Sequence, residues 1–286
     1  MPKILDGKAA ADTLLQHTAA RVARIRQATG VTPGLATVLV GSDPASATYV
    51  RMKAKRCEAV GMQSTRVELP DTTTTDQLVA ELTRLGDDPA VHGILLQHPV
   101  PRQIDERVAF EAIPADKDVD GVTIASFGAA AFDLLDTPGY GYGSCTPAGI
   151  MTLLRTYKLD LVGKHAVVIG RSPILGKPMA MMLLAAHCTV TICHSRTADL
   201  PAVVGLGDIV VAAVGKPAFV KGDWIKPGGI VIDAGYNPGN IGDCDYESCA
   251  ARASYITPVP GGVGPMTIAT LIDQTSLAAA RQLGVK

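Results

Sequence analysis

The stretch Ala166–Met179 reads A-V-V-I-G-R-S-P-I-L-G-K-P-M and decides the fold of this part of the chain. An apolar, mostly β-branched run ends at Gly170, and a second glycine, Gly176, opens a helix. This layout is typical of a nucleotide-binding strand–turn–helix, in which backbone N–H groups and the helix N-terminus attract a phosphate. The spacing G-x-S-x-x-x-G-x-P departs from the usual G-x-G-x-x-G, so a plain strand-to-helix turn stays an alternative.

The next strand indicates which nucleotide would bind. It is predicted at Thr189–Cys193 and is followed by His194, Ser195 and Arg196. An NAD site carries an acid about 20 residues after the glycines, which binds the ribose hydroxyls. This chain has no acid there, whereas Ser195 and Arg196, with Arg171 in the preceding turn, suit a 2′-phosphate. We therefore predict NADP as the cofactor, with a polar strand end of no binding function as the alternative.

Composition excludes several classes of protein. Of the 286 residues, 47% are apolar and 19% charged, which indicates a globular chain rather than a disordered one. The 26 basic and 27 acidic residues nearly cancel and aromatic content is 4%, so no nucleic-acid-binding footprint is present. No apolar run approaches the roughly 20 residues that span a bilayer. We expect a soluble, cytoplasmic protein with neither a nucleic-acid nor a membrane partner.

The six cysteines do not predict a metal site. Cys188 and Cys193, like Cys244 and Cys249, are spaced C-x4-C, wider than the usual zinc pairs, and lack matching histidines. We expect buried or partly buried thiols and no structural metal.

Helices and strands alternate through the first half of the chain. Helices are predicted at Asp6–Thr29, Ala45–Val60, Asp76–Leu85 and Val108–Ala112, and strands at Leu35–Val40, Arg66–Leu69 and Gly93–Gln97. Such alternation predicts parallel strands in an α/β unit.

A loop at Asp133–Gly143 marks a boundary, after which Thr146-Pro147 is predicted to cap a helix that runs through Tyr157. Further strands are predicted at Ile209–Val214 and Ile230–Ala234, and the terminal helix, Thr267–Leu283, is expected to return to the first unit. The predicted fold class is α/β: two α/β lobes around a cleft, the second a Rossmann-like doubly wound parallel sheet. The expected domains are residues 1–144 plus 267–286, which would bind substrate, and residues 145–266, which would bind NADP.

Four residues in the first lobe attract attention for their chemistry. Tyr49 and Lys53 lie four residues apart on a predicted helix, so they share one face. Gln97 ends a buried strand, and Asp120 belongs to a compact charged turn at 116–121. Strand ends and turns of this kind are where α/β proteins bind ligands. The alternative is a solvated lysine, a tyrosine at the core's edge and a charged surface turn.

Eight motifs in order together resemble one family. They are P-A-S-x-x-Y-V-x-x-K at Pro44–Lys53, G-I-L-L-Q at Gly93–Gln97, K-D-V-D-G at Lys117–Gly121, C-T-P-x-G-I at Cys145–Ile150, V-V-I-G-R-S at Val167–Ser172, C-H-S-R-T at Cys193–Thr197, G-D-W-I-K-P-G at Gly222–Gly228 and T-P-V-P-G-G-V-G-P-M-T at Thr257–Thr267. The chain thus resembles the bifunctional methylenetetrahydrofolate dehydrogenase/methenyltetrahydrofolate cyclohydrolase family over nearly its whole length.

The resemblance implies two reactions on tetrahydrofolate one-carbon derivatives. Methylenetetrahydrofolate is oxidised with NADP to the methenyl form, which water opens to 10-formyltetrahydrofolate. The resemblance assigns catalytic roles to Lys53, Tyr49, Gln97 and Asp120, with Gln97 orienting Lys53 and Asp120 holding the pterin. It assigns cofactor binding to Gly170, Arg171, Ser172, Ser195, Arg196 and Tyr236. It assigns substrate binding to Tyr49, Lys53, Leu96, Gln97, His98, Asp120, Pro258, Val259, Pro260, Gly261 and Gly262, and it suggests a homodimer.

Two residues depart from the family pattern. His98 stands where the family usually has leucine, and it is either a surface or pterin-side residue or a new acid/base group. Tyr236 replaces the usual isoleucine of a G-I-N turn, whose backbone meets the nicotinamide amide in the family.

Two other functions stay open on the sequence. One is a different two-lobe NADP oxidoreductase, acting on a keto acid or a shikimate-like substrate. The other is a non-catalytic NADP-sensing module, which would have no use for Lys53 and Gln97.

Overall fold

The computed structural model describes residues 1–41, 44–135 and 137–285, and gives residues 44–49 by their backbone alone. The strands are β1 (Lys3–Ile4), β2 (Gly34–Val40), β3 (Gln63–Leu69), β4 (Gly93–Leu96), β5 (His165–Ile169), β6 (Thr189–Cys193), β7 (Ile209–Ala212), β8 (Ile230–Asp233) and β9 (Tyr255–Ile256). The helices are α1 (Gly7–Thr29), α2 (Pro44–Ala59), α3 (Thr75–Asp87), α4 (Glu106–Glu111), α5 (Ile124–Ala131), α6 (Cys145–Thr156), α7 (Gly176–Ala185), α8 (Leu200–Val204), α9 (Tyr246–Ala250) and α10 (Val263–Gln282).

The chain divides into two compact units. One contains Met1–Asp12 and Ser144–Thr267, and the other contains Thr13–Gly143 and Ile268–Lys286. Helices α1 and α10 each contribute residues to both. The first twelve residues group with the segment that is predicted to bind NADP because β1 pairs with β9, whereas the sequence assigned them to the first lobe. The functional limits of the two domains remain a prediction.

The smaller sheet has the order β3-β2-β4, with every strand parallel. The central strand β2 is buried along its whole length, which explains its continuous apolar sequence. Helix α3 covers the sheet with Leu78, Leu82 and Leu85, each at most 1% exposed. A capping box at Thr74 and Gln77 begins this helix.

The second part of α10 packs into this same unit. Arg21 of α1 forms a 2.6 Å ion pair with Asp273, which also accepts a hydrogen bond from Thr18. Gln274 donates to the carbonyl oxygens of Val119 and Gly143. These bonds fix the turn that follows α4 and the end of the loop that leads to α6.

The larger sheet has the order β1-β9-β8-β7-β5-β6, again with parallel pairing throughout. Strand β5 therefore lies between β6 and β7, and the chain order reverses at this point. In doubly wound sheets such a reversal opens a crevice at the carboxyl ends of the strands, where nucleotides bind. The Rossmann-like α/β architecture predicted from the sequence is confirmed.

One local prediction is wrong. Thr146 does not cap α6, because the helix begins at Cys145 with Ser144 as its N-cap, and Ser144 makes no side-chain capping bond. The Thr146 hydroxyl instead lies 3.1 Å from that of Thr267 at the start of α10.

Among the described residues, all six cysteines are buried thiols. No helix within the described ranges is both long and apolar enough to cross a membrane.

Candidate functional site

A lysine–glutamine pair lies at the carboxyl edge of the three-stranded sheet. Lys53 is half-buried on α2, the helix that follows β2, and its Nζ donates to Oε1 of Gln97 at 3.0 Å. Gln97 follows β4 directly, and its backbone N–H extends the ladder by donating to the Val38 carbonyl. The structure thus brings together two residues that are 44 positions apart in the sequence.

The orientation of the Gln97 amide is set by a second bond. Its Nε2 donates to the His98 carbonyl oxygen at 2.8 Å, which leaves Oε1 to face Lys53. Gln97 is neutral, so it holds the lysine head in place without adding a negative charge that would favour the ammonium form. Such an arrangement suits a lysine that must spend part of its time as a neutral amine.

Two neighbouring candidates differ in how far the structure describes them. The Tyr49 side chain lies outside the described residues; its backbone belongs to α2, one helical turn before Lys53. Leu96 is 1% exposed and belongs to the core under the sheet.

Asp120 lies half-buried in a turn that a second carboxylate organises. Asp118, fully buried, accepts hydrogen bonds from the Val122 and Thr123 backbone N–H groups and from the Thr123 and Ser126 hydroxyls. Burial raises the pKa of Asp118, while these four bonds act in the opposite direction. Sequence reasoning singled out Asp120 and missed the anchoring role of Asp118, for which the hydroxyls at 123 and 126 were the only signal.

The His98 ring packs against α4. It meets Phe110 edge-to-face, with ring centroids 6.2 Å apart, and Arg107 lies over the same phenyl ring. Arg107 also pairs with Glu111. These contacts give the ring a packing role.

The predicted nucleotide turn follows β5 at the reversal of the larger sheet. Gly170 has φ 131°, and a Cβ built on it would lie 2.2 Å from the Ala213 carbonyl oxygen. A Cβ on Gly176, the first residue of α7, would lie 2.3 Å from the Gly170 carbonyl oxygen. Only glycine fits either position, so the backbone forms a tight cradle that ends at the N-terminus of a ten-residue helix.

The polar side chains around this cradle are exposed and suit a phosphorylated dinucleotide. Arg171, Ser172, Ser195 and Arg196 all face solvent. The Ser172 hydroxyl also accepts from the Leu175 and Gly176 backbone N–H groups, so it stabilises the start of α7. Two arginines and two hydroxyls, one of each after β5 and after β6, fit a pyrophosphate and a 2′-phosphate better than an unphosphorylated ribose.

The loops after β7 and β8 are joined by buried carboxylates. Asp233, at the end of β8, accepts from the backbone N–H groups of Gly235, Asp243 and Cys244, and burial raises its pKa. Asp243, fully buried, accepts from Val214, Gly215 and Lys216 after β7. Sequence reasoning missed Asp243, because no local pattern distinguishes it from other loop acids.

Tyr236 lies in the loop after β8. It is 59% exposed, and its hydroxyl donates to Asn240 Oδ1 at 2.7 Å across a hairpin whose bridge joins Asn237 and Ile241. Its side chain is therefore tied to its own loop.

The segment Pro258–Gly262 follows β9 in the six-stranded unit. A Cβ on Gly262 would lie 2.5 Å from the Pro258 carbonyl oxygen. The Lys8 backbone N–H donates to the Gly261 carbonyl oxygen at 3.0 Å. The C-terminal end of this segment is therefore held against the start of α1.

Comparison with known proteins matches both parts of the chain. Residues 5–120 match a family model for the catalytic domain of tetrahydrofolate dehydrogenase/cyclohydrolase, and residues 144–283 match its NAD(P)-binding domain. A Streptomyces avermitilis relative, "Bifunctional protein FolD 1", is 60% identical over 284 residues, covering 99% of this chain and 97% of that protein.

Two solved structures share the fold over almost the full length. The Campylobacter jejuni bifunctional FolD methylenetetrahydrofolate dehydrogenase/cyclohydrolase is 42% identical with a TM-score of 0.93, covering 98% of this chain and 99% of that one. The Trypanosoma brucei methylenetetrahydrofolate dehydrogenase-cyclohydrolase, solved with NADP cofactor and inhibitor, is 36% identical with a TM-score of 0.92, covering 98% and 99%.

Proposed function

Because this chain belongs to the tetrahydrofolate dehydrogenase/cyclohydrolase family, we infer that it is a bifunctional enzyme of one-carbon folate chemistry. It oxidises 5,10-methylenetetrahydrofolate to the 5,10-methenyl form with NADP, and it hydrolyses that product to 10-formyltetrahydrofolate. The observation that carries this conclusion within the molecule is the Lys53–Gln97 pair in one unit together with a glycine cradle at the sheet reversal of the other.

NADP supplies the hydride acceptor when it is bound. Gly170 and Gly176, the first residue of α7, would form the cradle for the pyrophosphate, which the N-terminus of that helix attracts. A side chain at either glycine would collide with backbone. Arg171, Ser195 and Arg196 hold the 2′-phosphate by charge-assisted hydrogen bonds. Ser172 preserves the helix start, and the backbone of Tyr236 lies in the loop that would meet the nicotinamide.

Lys53 is the proposed base of the hydrolytic step. Its Nζ, as a neutral amine, accepts a proton from the water that attacks the methenyl carbon. The positive charge of the methenyl substrate disfavours a second cation nearby and therefore favours the neutral amine. Gln97 keeps that nitrogen in place through its 3.0 Å hydrogen bond. Hydride transfer itself needs no protein base, so positioning matters more there.

The remaining substrate-binding assignments are proposals that rest on the family resemblance. Asp120 binds the amino and ring N–H groups of the pterin, and Tyr49 lies over the folate beside Lys53. Leu96 and His98 flank Gln97, while Pro258, Val259, Pro260, Gly261 and Gly262 form the wall beside the folate. His98 acts here by packing on Phe110 rather than as a new acid or base.

A paired assay tests the proposed function. Purified protein is given methylenetetrahydrofolate with NADP or with NAD, and separately methenyltetrahydrofolate, while absorbance reports both half-reactions. We expect both reactions, with NADP preferred over NAD. Oxidation of a keto-acid-type or shikimate-like substrate instead would favour another two-lobe oxidoreductase. Nucleotide binding without turnover would favour an NADP-sensing module.

We also expect a homodimer. Strand β6 is one of the two edge strands of the six-stranded sheet, and Ile192 on it and Leu184 on α7 are 37% and 54% exposed. Such an apolar edge is typical of a surface that pairs with another chain. Light scattering should give twice the chain mass of 29.7 kDa, and a monomer at micromolar concentration would contradict the expectation. The cytoplasmic location expected from the sequence also stays a prediction.

A further inference from the structure

The loop after β7 is held by an unusual number of bonds to one side chain. Asp243 Oδ2 accepts the backbone N–H groups of Val214 at 2.6 Å and Gly215 at 2.8 Å, and Oδ1 accepts that of Lys216 at 2.9 Å. Three successive amides thus point at one carboxylate. The loop conformation therefore depends on a residue almost thirty positions away, and not on its own sequence alone.

The same carboxylate also holds the loop after β8. Asn237 Nδ2 donates to Asp243 Oδ1 at 3.0 Å, and Asn237 pairs with Ile241 through both backbone groups. The backbone of Asp243 is in turn fixed by Asp233 Oδ1, which accepts the Asp243 N–H at 2.9 Å. Asp243 is 0% exposed, so these bonds are made away from water, where losing one is costly.

The position of these loops relates them to one half of the cofactor. Strand β5 and the N-terminus of α7 would receive the pyrophosphate, and Ser195 and Arg196 after β6 would bind the adenosine 2′-phosphate. Since β7 and β8 lie on the other side of β5, the nicotinamide half must extend across their carboxyl ends. The loops that Asp243 joins are those at the ends of β7 and β8.

We propose that Asp243 is a positioning residue for the nicotinamide half of NADP: its buried carboxylate fixes the loops after β7 and β8 in the arrangement that receives that half. It acts through Val214–Lys216 and Asn237 rather than by touching the cofactor. This inference rests on the NADP site of the proposed function. It concerns a residue that the sequence motifs do not include.

An Asp243→Asn variant isolates the effect with little change of volume. The carboxylate has two oxygens that accept, whereas the amide replaces one of them with an NH2 group that would face N–H donors. We expect the dissociation constant and the KM for NADP to rise about tenfold, as for the loss of one or two buried hydrogen bonds. Hydrolysis of methenyltetrahydrofolate, and the affinity for 2′,5′-ADP, which carries only the adenosine half, should change less than about twofold by the same reasoning.

Asp208→Asn provides a matched control in the same sheet. Asp208 precedes β7 at the amino end and accepts from the His165 backbone N–H and from Lys226. Asp208→Asn makes the same chemical change at the edge of the sheet opposite to the cofactor. The dissociation constant and KM for NADP, the rate of methenyltetrahydrofolate hydrolysis and the affinity for 2′,5′-ADP should therefore all stay near those of the unaltered protein. Asn237→Ala serves as a second, milder variant should Asp243→Asn not fold, and it should weaken NADP binding in the same direction.

Isothermal titration with NADP and with 2′,5′-ADP decides between the outcomes. Weaker NADP binding with unchanged 2′,5′-ADP binding supports the proposal. Equal loss of both ligands, or loss of cyclohydrolase activity in parallel, would show a general structural role and overturn it. Unchanged NADP affinity in Asp243→Asn would also overturn the proposal, and where that variant does not fold, unchanged NADP affinity in Asn237→Ala would do the same. If the unaltered protein bound no NADP, the proposed function itself would fail.

Discussion

In the proposed NADP site, single residues account for the choice of nucleotide. Arg171 after β5 and Arg196 after β6 are both exposed, and the segment after β6 carries no acid where NAD-binding proteins have one. Burial adds little to the binding free energy of an exposed arginine on a phosphate. Its contribution comes from its charge and from paired hydrogen bonds to the phosphate oxygens. The preference for NADP should therefore depend on these two side chains and not on the core beneath them.

Replacing Arg196 by serine should raise the KM for NADP about tenfold, because one charge-assisted contact to the 2′-phosphate is lost. The KM for NAD should stay nearly the same, since NAD lacks that phosphate. Steady-state kinetics with both nucleotides measure the difference. Equal changes for the two would mean that Arg196 does not contact the 2′-phosphate.

A buried histidine makes stability depend on pH. His92 is 1% exposed, and its Nδ1 accepts the Gly34 backbone N–H at 3.1 Å, which requires an unprotonated nitrogen. Burial, and then the nearby Lys117 charge, lower the pKa of His92. Just below the unfolded-state pKa of about 6.5, the folded state therefore binds fewer protons than the unfolded state. The free energy of unfolding should fall as the pH drops from about 6.5 towards the lower pKa of the folded state.

A His92→Asn variant should lose less stability on acidification than the unaltered protein. The asparagine oxygen can accept the Gly34 bond but does not titrate, although the smaller side chain should cost about 1–2 kcal/mol at neutral pH. Denaturant unfolding at pH 7.5 and 5.5 measures both effects. The exposed His17, changed to asparagine, is the control. An identical pH dependence in His92→Asn and the unaltered protein would refute this account.

At the scale of elements, hydrophobic periodicity predicted most of the fold. Strands β2, β5 and β7 are buried apolar runs, and α3 carries leucines at helical spacing, so local pattern and tertiary burial agree. The two-residue strands β1 and β9 escaped prediction, because so short a segment has no periodicity to detect. They form because β1 pairs with β9 and β9 pairs with β8.

The candidate site was predictable where residues belong to a motif and unpredictable where distant contacts decide. Lys53 and Gln97 stand in motifs that the family resemblance names, and the structure joins them. Asp118 acts through buried hydrogen bonds to groups four to eight residues further along the chain, and only the hydroxyls at 123 and 126 signalled them. Asp243 acts through bonds to backbone N–H groups 27 to 29 positions away, and nothing in its neighbouring sequence specifies those partners.

The turn between β5 and α7 should not tolerate a side chain. Gly170→Ala would force φ 131° on an alanine and place its Cβ 2.2 Å from the Ala213 carbonyl oxygen. We expect NADP affinity to fall tenfold or more, at about 1.4 kcal/mol per factor of ten, together with a lower melting temperature. Calorimetry and titration measure both.

Gly128→Ala is the control for this substitution. Gly128 lies within α5, and, apart from its chain neighbours and the backbone of that helix, no atom of the described residues lies within 4 Å of a Cβ built there. Alanine should therefore leave NADP binding unchanged and stabilise the helix by up to about 1 kcal/mol. If Gly170→Ala bound NADP as well as Gly128→Ala does, the turn would not be the pyrophosphate site.

At the scale of the whole molecule, the proposed function joins two chemistries in one chain. The six-stranded unit supplies the glycine cradle and the arginines for NADP. The three-stranded unit supplies a half-buried lysine held by a neutral glutamine. Oxidation needs both units, whereas hydrolysis of the methenyl compound needs the lysine and water but no hydride acceptor. The two activities should therefore respond differently to a change at the lysine.

The rate of methenyltetrahydrofolate hydrolysis by a Lys53→Met variant tests this claim most directly. Removing the base should lower that rate by about 100-fold or more, while NADP affinity is retained. Lys55→Met, an exposed lysine on the same helix, is the control and should keep full activity. If Lys53→Met hydrolysed the substrate as fast as the Lys55→Met protein, the assignment of Lys53 as the base would be wrong.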